Sequence, residues 1–246
     1  MTRFLISPED VEGERITIKG REVHHLRDVL RLRRGDRVIC FDGEGREYEG
    51  VLESLSSAQA EVRIEKVREL KKESPLRITL AQSLIRSRKM DLVVQKCTEL
   101  GIFRLIPVRT ERSLVRLEGA KCRARQGRWQ RKAEEAAKQS GGVKVPMIEE
   151  VADFYSLLDR VRDFDLGIIP WEEEREAGSL KKALTKGQPR PENILLLIGP
   201  EGGFTLQEVA EAGKAGLLPV SLGPRILRAE TAAIATVAII AYELGD

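Results

Sequence analysis

Three cysteines and two histidines are all that this 246-residue chain offers to a disulfide framework or a soft metal. Cys40, Cys97 and Cys122 are odd in number, widely separated and without a Cys-x-x-Cys, which argues against stapling and favours a reducing compartment. His24 and His25 are adjacent and lack a Cys/His partner set, so the sequence supports no zinc site and no metal is expected. Long hydrophobic runs are missing too. The longest, Ala232–Tyr242, is too short to span a bilayer, and the opening Met-Thr-Arg-Phe-Leu-Ile-Ser-Pro has no signal-peptide apolar core. A cytoplasmic protein with no membrane partner is the expectation. There is no internal repeat or low-complexity tract. Neither Gly-x-Gly-x-x-Gly after a first strand nor Gly-Lys-Ser/Thr occurs, which makes NAD and ATP poor ligands.

What is present is a globular composition: 41% apolar and 33% charged residues in a chain long enough to bury one large domain or two modest ones. The net charge of +3 is small, but its distribution is uneven. Arg21, Arg27, Arg31, Arg33, Arg34 and Arg37 form one basic cluster, and Lys121, Arg123, Arg125, Arg128, Arg131, Lys132 and Lys138 a second. Such clusters are the footprint expected of phosphate contacts, or else two solvated helix faces.

Residues 1–70 read as short strands around one helix, the pattern of a small β-barrel. Ile16–Ile18 alternates, Glu22–Leu30 has helical spacing, and Arg37–Phe41 enters a hairpin turn at Asp42–Gly45. Tyr48–Leu52 and Ala58–Val67 follow as strands. Lys71–Pro75 is a linker candidate. From residue 76 to 246, strands alternate with helices, which predicts a largely parallel α/β layer. Leu76–Leu80, Ile102–Val108, Leu166–Ile169, Ile194–Ile198 and Val220–Leu222 are the expected strands. Lys89–Leu100 is a helix stopped by Gly101, and Arg123–Lys138 is a polar one. Thr205 and Glu208 form a capping box for a helix reaching about Ala215, and Thr231 is expected to cap a terminal helix, Ala232–Leu244. That last helix is apolar all round and must be buried in the core or against a partner.

The segments Ile194-Leu-Leu-Leu-Ile-Gly-Pro-Glu-Gly-Gly-Phe204 and Ser221-Leu-Gly-Pro-Arg-Ile-Leu-Arg-Ala-Glu-Thr-Ala-Ala233 each run from a short apolar strand through a Gly-Pro loop into a helix. Glycine lets backbone approach a ligand closely, so two such loops predict one small-molecule pocket built largely from main-chain atoms.

Together these loops resemble the cofactor-binding signature of the RsmE family. Lys89-x-Asp91, Gln95-Lys-Cys-Thr-Glu-Leu-Gly101, Glu111-Arg-Ser113 and Gln139-Ser140 agree with it, as do His24-His-Leu26 and Gly35-Asp36. Ala229 stands where that family usually has Thr, and Gly142 where a basic residue is common. The resemblance implies an N-terminal PUA-like barrel (1–70), a linker (71–75) and a C-terminal SPOUT α/β domain (76–246) with a deep trefoil knot. It also implies a homodimer with each site at the subunit interface. The implied activity is S-adenosylmethionine-dependent methylation of N3 of a uridine in 16S ribosomal RNA of the small subunit, near the decoding centre.

On that resemblance the cofactor meets Leu197, Ile198, Gly199, Pro200, Glu201, Gly202, Ser221, Leu222, Gly223, Ile226, Leu227, Arg228, Thr231 and Ala232. N3 of uridine becomes nucleophilic once its proton leaves, so a base or an anion stabiliser is needed. Glu201 and Glu230 are the candidate bases and Arg228 the candidate stabiliser of charge on the uracil oxygens. Each has a structural alternative: Glu201 as an acceptor of loop N–H groups, Glu230 as a favourable charge at a helix N-terminus, Arg228 as a partner of either carboxylate. His24, Arg27, Arg31, Arg33, Arg34, Lys89, Arg112 and Ser113 are the candidate RNA contacts. Two rivals remain: a methyltransferase of the same superfamily acting on a ribose 2′-oxygen or on transfer RNA, and a non-catalytic RNA-binding or assembly protein.

Overall fold

A computed structural model describes residues 2–69, 75–115, 119–172, 178–185 and 189–245. The chain divides into two compact units, one of Met1–Glu73 with Ala137–Val145, the other of Ser74–Ala136 with Pro146–Asp246. Of the expected linker, residues 71–74 lie outside the described residues.

In the first unit, β1 (Thr2–Leu5), β2 (Val11–Glu12), β3 (Arg15–Lys19), the short helix α1 (Arg21–His24), β4 (Arg37–Phe41), β5 (Arg46–Leu55) and β6 (Gln59–Glu69) follow in order. The strands form one sheet in the order β1-β4-β5-β6-β3-β2, antiparallel except where β1 joins β4. Its inward residues, among them Phe4, Ile16, Ile18, Val38, Cys40, Leu52 and Val62, close on Val23 and Leu26 of the helical segment. The helix expected over Glu22–Leu30 is α1 continued by a π-helical turn, His25–Val29. The Asp42–Gly45 turn is held by Asp42 Oδ1, which accepts from the N–H groups of Glu44, Gly45 and Arg46 at 2.8–3.0 Å. Gly142, the residue that departs from the family pattern, offers its carbonyl to Arg3 Nη2 at 3.1 Å.

The second unit contains β7 (Arg77–Ser83), α2 (Ser87–Glu99), β8 (Arg104–Arg109), most of α3 (Ala120–Ser140), β9 (Met147–Ile148), β10 (Ala152–Asp153), α4 (Phe154–Leu158) and β11 (Leu166–Pro170). It continues with α5 (Leu180–Thr185), β12 (Asn193–Ile198), α6 (Leu206–Ala215), β13 (Leu217–Val220) and α7 (Ala229–Leu244). All its strand pairs are parallel, in the order β10-β8-β7-β12-β11-β13, with β9 beside β8. Such a sheet must be covered on both faces. Leu195 and Leu197 pack with Phe154, Leu157, Phe204, Val209 and Ala212 on one face. On the other, α7 packs against β7 and β12 and against α2. That is why Ile194–Ile198 is apolar at every position rather than alternating.

Two expectations at element ends are corrected. The last strand is Leu217–Val220, not Val220–Leu222, because Gly216 takes the left-handed conformation (φ +107°) that ends α6 and starts the strand at once. The terminal helix begins at Ala229 with Arg228 as its N-cap, so Thr231 lies inside the first turn and caps nothing. Gly101 (φ +81°) and the Thr205/Glu208 box stand where expected. α7 buries Ala233, Thr236, Val237, Ile240 and Leu244, whereas Tyr242 is 85% exposed and Ile239 42%. The helix is therefore core-facing on one side only.

Candidate active site

Parallel strands place the carboxyl ends of β7, β11, β12 and β13 along one sheet edge. From β7 the chain passes to β8 on one side, and from β12 to β13 on the other, so the strand order reverses between β7 and β12. Open α/β sheets bind ligands at such a switch point. Two adjoining clefts of about 190 and 90 Å³ lie at this edge and share Pro170, Glu172, Ile226, Leu227 and Ala232.

The first wall is the loop after β12. A Cβ on Gly199 would stand 3.1 Å from the buried Phe204 ring, and one on Gly202 would stand 3.1 Å from Arg112 Cβ. Gly203 holds φ +68°, a conformation other residues adopt at a cost. Gly203 N–H closes a turn on Pro200 O at 3.1 Å, and Arg112 Nη1 donates to the carbonyls of Gly202 (3.2 Å) and Phe204 (3.3 Å). Arg112 is itself placed by its neighbour: Glu111 N–H donates to the buried capping carboxylate, Glu208 Oε1, at 2.9 Å.

Glu201 turns from this loop toward α2. Arg86, the N-cap of α2, provides no side-chain cap; Glu201 Oε1 accepts its N–H at 3.3 Å instead. A carboxylate there suits the positive end of the helix dipole. Lys89, one turn on, places Nζ 3.4 Å from Glu201 Oε1 and 3.4 Å from Glu230 Oε2. Among the described residues, Glu201 Oε2 is buried without a hydrogen-bond partner, and Glu230 Oε2 is buried with only the Lys89 ion pair.

The second wall is the stretch from β13 to α7. Trp171 N–H donates to Val220 O at 3.0 Å, and Ser221 Oγ accepts Gly223 N–H at 3.2 Å, which shapes the turn at Gly223 (φ +113°). Ile226 is 82% exposed, an apolar side chain with open space over it. Arg228 is exposed, and its guanidinium has no ion-pair partner among the described residues; Lys89, not Arg228, pairs with the two glutamates.

Of the expected cofactor residues, Ile198, Gly199, Pro200, Glu201, Ser221, Leu222, Gly223, Ile226, Leu227, Arg228 and Ala232 line the clefts. Leu197 is wholly buried in β12, Gly202 lies against Arg112 and Thr231 is exposed on α7; none of the three lines the clefts. Lys89, Trp171, Glu172 and Phe204 line them without having been assigned there. Lys89 carried a signal, its place in Lys89-x-Asp91. Trp171 and Glu172 carried none, because only the pairing of β11 with β12 and β13 brings them in.

The candidate RNA contacts are dispersed in role. Lys89 is engaged inside the cleft, Arg112 is bonded to the glycine loop, and Ser113 Oγ bonds Thr110 Oγ1 at 2.8 Å. On the first unit, His24 and Arg27 both pair with Asp28, whose carboxyl the Arg27 and His24 hydrogen bonds hold at about 2. Arg31, Arg33 and Arg34 are exposed, with side chains unpaired among the described residues, and Arg31 has φ +54°. No group of His, Cys, Asp and Glu among the described residues has the arrangement of a metal site.

Comparison with known proteins agrees with both units. Residues 72–241 match the RNA methyltransferase domain family and residues 18–65 the RNA methyltransferase PUA domain family. The ribosomal RNA small subunit methyltransferase E of Bacillus subtilis is 34% identical over 94% of this chain and 91% of that protein. The Neisseria gonorrhoeae enzyme of the same name, solved bound to S-adenosylmethionine, superposes with TM-score 0.89 at 34% identity, covering 100% of this chain and 99% of that one. A Legionella pneumophila methyltransferase solved with the same cofactor gives TM-score 0.88 at 30% identity over 100% and 99% of the two chains. With its PUA unit, its parallel-sheet methyltransferase unit and relatives matched end to end, the chain belongs to the ribosomal RNA small subunit methyltransferase E family.

Proposed function

We propose that this protein transfers a methyl group from S-adenosylmethionine to N3 of a uridine in 16S ribosomal RNA. The observation that carries the proposal is the glycine-walled double cleft at the carboxyl edge of the sheet. Its parts fit an adenosyl cofactor: main chain left open at Gly223, with Gly199 also in the lining, apolar walls from Ile198, Leu222, Ile226 and Leu227, and a buried carboxylate oxygen on Glu201 without a partner among the described residues. When bound, the cofactor supplies an electrophilic methyl on a sulfonium centre.

The protein's share is positioning and proton handling. The loops after β12 and β13 hold the adenosyl group by backbone and apolar contact. One carboxylate of the Glu201–Glu230 pair accepts the N3 proton. Arg228, free at the cleft mouth, faces the negative charge that then spreads to the uracil oxygens. Arg31, Arg33 and Arg34 supply phosphate contacts from the barrel, residues 1–70, while residues 76–246, apart from the Ala137–Val145 stretch that belongs to the first unit, form the methyltransferase domain. The family relationship supports a trefoil knot around the site and a cytoplasmic location. Tyr242 and Ile239, exposed on an otherwise core-packed helix, support a homodimer.

Methyl transfer to small-subunit RNA lacking the modification, with mass mapping of the product, tests the reading. A methyl anywhere but a uridine base overturns it, and RNA affinity without cofactor binding makes this a binding protein instead. Arg228→Ala is expected to lower turnover about 100-fold, the scale for removing one donor to a developing anion, with cofactor affinity little changed. Equal loss of both contradicts the role given to Arg228.

A further inference from the structure

Lys89 sits where local physics disfavours it. It lies in the first turn of α2, beside Arg88, and that turn contains no acidic residue. A cation at a helix N-terminus opposes the helix dipole. What offsets the cost comes from far along the chain: Glu201 on the loop after β12 and Glu230 on the first turn of α7, each 3.4 Å from Nζ. The two carboxylate oxygens are thus no farther apart than twice that distance. The three side chains are mostly shielded from solvent, at 28%, 18% and 13% exposure, so the like charges of the glutamates repel with little screening unless a cation stands between them. Arg228, also in the cleft, leaves both carboxylates to Lys89.

We infer that Lys89 is the positioning residue of this site: its ammonium ties the two cleft-forming loops together through Glu201 and Glu230, and it is not an RNA phosphate contact. The inference rests on the reading of the cleft as an adenosyl pocket. Glu201 Oε1 is shared between Lys89 and the Arg86 N–H, which orients the carboxylate and leaves its other oxygen for a bound molecule. Lys89 thereby acts through two side chains rather than on the reacting atoms.

Calorimetric titration of the full chain with S-adenosylmethionine, together with thermal melting of the unliganded protein, tests this. The variants are Lys89→Met, Lys89→Arg, Glu201→Gln, Glu230→Gln and the doubles Lys89→Met/Glu201→Gln and Lys89→Met/Glu230→Gln. Lys89→Met is expected to weaken cofactor binding roughly tenfold, the scale for losing a partly exposed charge pair. Lys89→Arg should recover most of that. Each double variant should lose less than its singles combined, since its members share one interaction. RNA affinity at matched salt should not change. Additive losses overturn the inference, as does weakened RNA binding with a salt slope reduced by about one, the signature of a lost phosphate contact. If the wild-type chain fails to bind S-adenosylmethionine, the proposed function falls. The melting coupling between Lys89 and the glutamates still decides whether Lys89 joins them.

Discussion

Replacing Arg112 with alanine separates two roles that one arginine could play. In the structure its guanidinium donates to Gly202 O at 3.2 Å and Phe204 O at 3.3 Å, and its stem packs under Gly202. A hydrogen bond from a charged donor contributes about 1.5–3 kcal/mol when well formed and shielded. These two are long and Arg112 is exposed, so together they contribute about 1–2 kcal/mol to this arrangement of the glycine loop. If the cofactor binds only that arrangement, Arg112→Ala lowers S-adenosylmethionine affinity by at most roughly 5- to 30-fold, the full factor being reached where the lost bonds leave that arrangement the minority one. Calorimetry measures that change, and RNA binding across a salt series measures the alternative. A phosphate contact predicts the reverse pattern: normal cofactor affinity, weaker RNA binding and a log–log salt slope smaller by about 0.7–0.9. That pattern would refute the loop-latching role.

Gly203→Ala places a side chain at φ +68°, with its Cβ 2.6 Å from the flexible end of Glu172. The backbone cost of about 1–2 kcal/mol should lower the melting temperature by roughly 2–4 °C per kcal/mol, and an unchanged transition would show that the loop relaxes freely. Asp28 titrates at about 2 instead of its ordinary 3.8, through hydrogen bonds from Arg27 and then His24. Its folded value is depressed, so this interaction is complete above the ordinary value and disappears as pH falls toward about 2. Arg27→Ala should move the Asp28 carboxyl titration, followed by NMR, back up; an unmoved midpoint contradicts the pairing. Burial pushes the Cys40 and Cys97 thiols up to about 12, whereas Cys122 is partly exposed. A thiol reagent at pH 8 should label one cysteine in the folded protein and three after denaturation, and a second fast-reacting thiol would disprove the burial.

Local patterns carried much of the fold into view. β4 ends at Phe41, where the Asp42–Gly45 turn signal begins, and the Thr205/Glu208 box caps α6 because both bonds of the box are formed by residues three apart. The apolar run at Ile194–Ile198 and the Gly-Pro loop after it are likewise legible, since a doubly covered parallel strand and a tight turn each leave a local signature. Edges and very short strands were not. β9 and β10 are two residues each and exist only because β8 offers them a parallel edge. The start of α7 was displaced because a threonine in sequence resembles a cap, whereas Arg228 takes the extended backbone that a cap requires.

The sequence by itself determined the class of each unit, the two glycine loops and the carboxylates Glu201 and Glu230 beside them. These follow from residue periodicity and from backbone freedom at glycine, both local properties. Only the tertiary structure decided which side chains share the cleft. Sheet order brings α2 against the loops after β12 and β13, so Lys89, more than a hundred residues away in the chain, meets both glutamates. The same packing turns Arg112 onto the glycine loop and leaves Arg228 free. Charge pairing across such distances depends on strand order, which residue spacing does not encode.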